Sequence, residues 1–108
     1  MIYVASPYSD PDPLCREHRY QKVRDYTIEM IRAGAVAFSP IMYLHKAAID
    51  HDLPKDAAFW HKFNINMLRI SDGVLVLCLY GWQQSTGVQS EISSAEHLNI
   101  PIIYVIEP

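Results

Sequence analysis

Two cysteines, no surplus of basic residues and no long apolar run set the outer limits of this 108-residue chain. Cys15 and Cys78 stand in unlike contexts, a polar stretch and the inside of an apolar strand, so they read as free thiols of a reducing compartment. Nothing approaches the ~18 consecutive apolar residues of a membrane span. The opening Met1-Ile2-Tyr3-Val4-Ala5 reaches Pro7 without a positive leader, which leaves the cytoplasm as the expected location. Lys and Arg total 9 against 12 Asp and Glu, a formal net charge of -3. That balance offers no field for polymeric nucleic acid, although local cations can still hold one small phosphate. Repeats, low-complexity tracts and flexible linkers are missing too. The Walker pattern fails for want of its lysine. The dinucleotide fingerprint fails because the first strand runs into Ser6-Pro7-Tyr8 and not into a glycine-rich turn. His45, His51 and His61 are spaced too irregularly for a ligand set, and His18 and His97 lack partner spacing, so neither metal nor cofactor is expected.

What is present is apolar and regularly patterned. Half of the residues are hydrophobic, enough for one domain, residues 1–108, with one core burying roughly 65% of the extended surface. Ile2 to Ala5 reads as a strand closed by turn formers. Glu17 to Ala33 reads as a helix on Tyr20, Val23, Thr27 and Met30 or Ile31, with Gly34 as its C-cap. Ala35 to Ser39 is a second strand ended by Pro40. Tyr43 to Asp50 suggests a short helix, with Leu53-Pro54-Lys55-Asp56 as a connection. Phe59, Phe63, Met67 and Ile70 mark one face of a helix that stops before Ser71-Asp72-Gly73. Val74 to Leu79 is the third strand, Val88 to Leu98 a helix with Val88, Ile92 and Ala95 inward, and Pro101 to Ile106 the last strand. Nearly unbroken apolar runs are what strands covered on both faces require. The expected fold is therefore α/β: a three-layer α/β/α sandwich on a small parallel sheet, Rossmann- or flavodoxin-like. It has four clear strands, and a fifth is possible in the middle.

Glu91 is the first candidate for chemistry, because it follows an apolar strand and the loop Ser85-Thr86-Gly87, where parallel α/β proteins place ligands. Tyr3 lies near the same sheet edge. A phenol donating to a carboxylate fixes its rotamer and leaves the second oxygen for an electrophilic carbon, an arrangement suited to glycosyl transfer. The plainer alternative makes Glu91 a first-turn helix acid and Tyr3 a core residue. Ser85, Thr86 and Gly87 offer either a phosphate seat or a simple cap. Arg16 and Arg19 either reach the same edge or belong to a solvated face. Trp60 and Asn64, four apart on one helix, either pack or stack a base and bind its edge. Trp82, in a Gly-Gln-Gln context, has less obvious structural duty.

Taken together, Ile2 through Tyr8, Phe38-Ser39-Pro40, Ser71-Asp72, Ser85 through Glu91 and Ala95 resemble the nucleoside 2-deoxyribosyltransferase and nucleotide N-hydrolase superfamily, nearest to a small bacterial and phage branch of unknown function. The resemblance spans essentially the whole chain. It implies a catalytic Glu91 oriented by Tyr3, and Ser85 holding a 5′-phosphate, which favours hydrolysis of a nucleoside 5′-monophosphate. Ser6, Tyr8, Arg19, Trp60, Asn64, Trp82 and Gly87 complete the candidate substrate-binding set. Deoxyribosyl transfer between bases and a catalytically weak nucleotide-binding module are the alternatives. Asn64 stands where the family often has a second carboxylate, and an amide cannot deliver a proton at neutral pH. The resemblance also implies a homodimer or homotetramer.

Overall fold

Short apolar segments that each give way to turn formers and then to an amphipathic stretch can bury both their faces only in a sheet lined by helices on either side. The computed structural model, which describes residues 1–54 and 57–106, has this form. The elements are β1 (Ile2–Ala5), α1 (Pro13–Arg32), β2 (Ala37–Phe38), α2 (Pro40–Asp50), α3 (Ala57–Arg69), β3 (Gly73–Cys78), a 3-10 turn (Trp82–Gln84), α4 (Thr86–His97) and β4 (Ile102–Ile106). Every pairing is parallel, in the order β2-β1-β3-β4. Side chains alternate across the strands, so each strand feeds two cores. Tyr3, Ala5, Val74, Val76 and Cys78 pack with Leu68 of α3 and with Val88, Ile92 and Ala95 of α4. Val4, Leu75 and Leu77 pack with Val23 of α1 on the other face. The result is the expected three-layer, Rossmann-like α/β sandwich.

Several boundaries depart from the sequence expectation. Helix α1 begins at Pro13 and not near Glu17, because the Asp12 carboxylate accepts from the Leu14 amide at 2.9 Å and Pro13 is preset for a first helical turn. Helix α2 begins at Pro40 for the same reason, with Ser39 Oγ accepting from the Met42 amide at 3.1 Å. Among the described residues the middle of the chain is therefore helical and supplies no fifth strand. Lys55 and Asp56, expected in a connection, lie outside the described residues. The buried side of α3 runs through Ile65 and Leu68, while Phe59 and Ile70, assigned to it by periodicity, are exposed. The last strand was expected to be covered on both faces. It is instead an edge, with Ile103, Tyr104 and Ile106 exposed.

The strand order puts a switch point between β1 and β3. The chain leaves β1 for β2 on one side and β3 for β4 on the other, so the loops beyond their ends diverge and open a crevice. Arg19 ties the two loops together: Nη1 donates to Ser9 O at 3.0 Å and Nη2 to Tyr80 O at 3.4 Å. Next to Tyr80, Gly81 turns the chain with φ of 85°, and a Cβ there would stand 3.0 Å from Arg19 Nη2. Gly81→Ala should therefore lower stability by about 1–2 kcal/mol. Urea denaturation measures this, and an unchanged midpoint would contradict it.

Candidate active site

Helix α4 starts where Ser85 Oγ accepts from the Val88 amide at 3.2 Å. From that start, Val88, Ile92 and Ala95 fall on the inward stripe, and so does Glu91, at 8% exposure. An acid in an apolar stripe needs a partner. It has one in Tyr3, fully buried on β1, whose hydroxyl donates to Glu91 Oε2 through a short, buried hydrogen bond. Burial pushes the Glu91 carboxyl from an ordinary 4.5 up to about 8, and the Tyr3 donor pulls against that rise. The Tyr3 phenol is raised well above its usual range, by burial first and then by the neighbouring carboxyl.

Above this pair lies a cleft enclosing about 610 Å³ of space open to solvent. Ser6 and Tyr8 line it from the loop after β1, Trp60 and Asn64 from α3, and Ser85, Gly87 and Glu91 from α4. Seven of the sequence candidates thus meet around one space, and Tyr3 sits behind Glu91. Two others do not line it. The Arg19 guanidinium is committed to backbone carbonyls. Trp82 packs against the core, with its ring centroid 5.7 Å from that of Tyr104, which supplies the structural duty its context did not suggest.

Two lining atoms, Ser6 Oγ and Asn64 Oδ1, are buried with no hydrogen-bond partner among the described residues. Each such atom costs about 1–3 kcal/mol, so a polar ligand that reached them would recover that energy. Ser85 Oγ spends one lone pair on its cap and keeps its own O–H to donate. The first amides of α4 also have no acceptor within the helix. Trp60 Nε1 donates to Pro54 O at 2.8 Å, which holds the indole as a wall. A second cavity, between α3 and α4, reaches Asn64, Gly87 and Glu91 from another side, where His61 Nδ1 lies 3.2 Å from Ser90 Oγ.

The wall contributed by α2 was missed. Ile41, Leu44, His45 and Ala48 line the cleft, and their spacing of three and four marks one helical face with a histidine inside it. His45 is buried, its ring stacked on Tyr20 at 4.3 Å. His45 Nδ1 is 2.7 Å from the Tyr8 hydroxyl, and Nε2 is 3.4 Å from Glu17 Oε1. Burial pushes the Tyr8 phenol above its ordinary value, while Arg16 opposes the shift and Glu17 adds to it.

Among the described residues, no group of three His, Cys, Asp or Glu side chains is placed to hold a metal ion. No helix among them is long and apolar enough to cross a membrane. A family model described as Domain of unknown function (DUF1937) matches residues 1–107. No curated protein matches the chain.

The Glu91 carboxyl has a pH signature. It ionises near 4.5 in the unfolded chain and near 8 in the folded one. Ionisation therefore favours the unfolded chain as pH climbs through that window, so stability falls from about pH 4.5 to about 8 and then levels off. Glu91→Gln keeps an acceptor for Tyr3 and abolishes this fall, leaving the variant more stable than wild type at pH 8 by about 1–4 kcal/mol. Denaturation midpoints across about pH 5–9 measure the difference; a variant as pH-sensitive as wild type would exclude the assignment.

Proposed function

The chain belongs to the DUF1937 family, and we propose that it cleaves the N-glycosidic bond of a nucleoside 5′-monophosphate, releasing free base and a pentose 5-phosphate. The observation that carries this reading is the buried Tyr3–Glu91 pair at the floor of an open cleft. With Oε2 held by the phenol, Oε1 is left to attack or electrostatically stabilise C1′ as the bond to the base breaks. The electron pair of that bond departs with the base, and water then resolves the sugar. The Ser85 hydroxyl and the amides at the start of α4 suit the phosphate. No Lys or Arg is among the described cleft residues, so the phosphate is held by hydrogen bonds and the helix field and not by an ion pair. Ile41, Leu44 and Trp60 offer an apolar wall to a planar base. The exposed apolar side chains of β4 support the expected homo-oligomer.

A reading without turnover, as a nucleotide-binding module, is favoured by Asn64, which lines the cleft beside Glu91 and has no proton to give. Transfer of the sugar to a second base is distinguished from hydrolysis by adding that base and looking for a new nucleoside.

Purified protein incubated with a panel of ribo- and deoxyribonucleoside monophosphates should release free base, measured chromatographically. Glu91→Gln should lower kcat by about 10³-fold or more. Because the reacting carboxylate must be ionised, kcat/KM should rise about tenfold per pH unit below a plateau that begins near 8. Binding without release from any nucleotide would leave the module reading standing and remove the enzymatic one.

A further inference from the structure

A base leaving carbon with the bonding pair is a poor leaving group unless a proton meets its nitrogen. On the hydrolytic reading above, some acid in the cleft must supply that proton. Asn64 cannot, and Glu91 is assigned to C1′. Tyr8 is a cleft-lining group with an O–H, and it is the end of a connected series. Its hydroxyl meets His45 Nδ1 at 2.7 Å, and His45 Nε2 meets Glu17 Oε1 at 3.4 Å. The His45 side chain is 1% exposed and Glu17 is 44% exposed. The series therefore begins in solvent, passes through a sealed imidazole and ends in the cleft. Stacking on Tyr20 at 4.3 Å, with an interplanar angle of 18°, holds the ring so that its two nitrogens face the two partners. A histidine needed only for packing would not require a carboxylate on one nitrogen and a cleft phenol on the other.

We propose that Tyr8 is the acid that protonates the departing base, recharged from solvent through His45 and Glu17. In the first step the Tyr8 proton moves to the base nitrogen as the C1′–N pair leaves with the base, and Glu91 bonds to C1′. His45, holding a proton on each ring nitrogen for this step, returns the one on Nδ1 to the Tyr8 oxygen and keeps the one on Nε2, which faces Glu17, so the ring ends neutral. In the second step water adds to C1′, the Glu91 carboxylate is regenerated and the proton lost by water leaves to solvent through the open cleft, while His45 regains its second proton from solvent by way of Glu17. The sum is nucleotide plus water giving free base and sugar phosphate. Arg16, which interacts with the Tyr8 phenol, steadies the negative charge that passes over that oxygen. Tyr8 is the catalytic residue of the series; His45 and Glu17 act through it.

The test compares leaving groups. Wild type, Tyr8→Phe and Glu17→Gln are assayed on the purine or pyrimidine monophosphate that wild type cleaves fastest, and on nicotinamide mononucleotide, whose cationic ring departs neutral without a proton. Tyr8→Phe should lower kcat about 10²–10⁴-fold on the first substrate and less than about fivefold on the second. Glu17→Gln, at a half-exposed position that tolerates substitution, should show the same selectivity with about a tenfold loss, and it carries the comparison if Tyr8→Phe does not fold. Equal losses on both substrates, or no loss on either, overturn the relay and leave the hydrolytic reading intact. Wild type that releases neither base removes the hydrolytic reading and the relay with it.

Discussion

A phenol hydroxyl on the first strand donates to a carboxyl on the last helix, 88 residues away, inside the core. The geometry of the candidate site depends on this contact. A lone carboxyl buried in an apolar helix stripe would be a severe liability. With Tyr3 as donor the carboxyl has a partner, and it is held by two elements that the parallel pairing of β1 with β3 brings together. Burial raises the Glu91 carboxyl to about 8 even though the cleft it lines is open to solvent.

The strand order does the remaining positioning. Because the loops after β1 and β3 diverge, Ser6 and Tyr8 come to one side of Glu91, and Ser85 and Gly87 come to another. Helix caps set the walls. Ser39 starts α2 and Ser85 starts α4, and both helices begin at the edge of the crevice. Arg19 bridges the diverging loops through their backbone carbonyls and does not line the cleft.

The cleft also carries unmet polar demand. Ser6 Oγ and Asn64 Oδ1 have no partner among the described residues, and Glu91 is held against its ionisation tendency. Functional sites accept such local costs because the surrounding core offsets them. Here that core is the tightly buried set of Val74, Val76, Val88 and Ala95 directly beneath.

Much of this was legible in the residues themselves. Strands 1 and 3 and the inward face of α4 follow from local periodicity and turn chemistry, which do not depend on what the segment packs against. Seven candidate residues from the loop after β1, from α3 and from the start and first turns of α4 do gather around one cleft, with Tyr3 beneath. Non-local choices were not legible. An apolar run looks the same whether it lies inside a sheet or at its rim, so the exposed edge of β4 could be known only from strand order. Asp12 precedes the expected helix start at Glu17 and Ser39 closes the expected second strand, so neither read as a cap until the helices they start were in view. His45 had no spacing partner in the chain, because Tyr8 and Glu17 reach it from other elements. The sequence by itself determined the alternation of strand and helix and offered Tyr3 and Glu91 as candidates for a pair. Tertiary structure decided which polar groups that pair would face, because partners across a cleft are selected by topology and not by spacing along the chain.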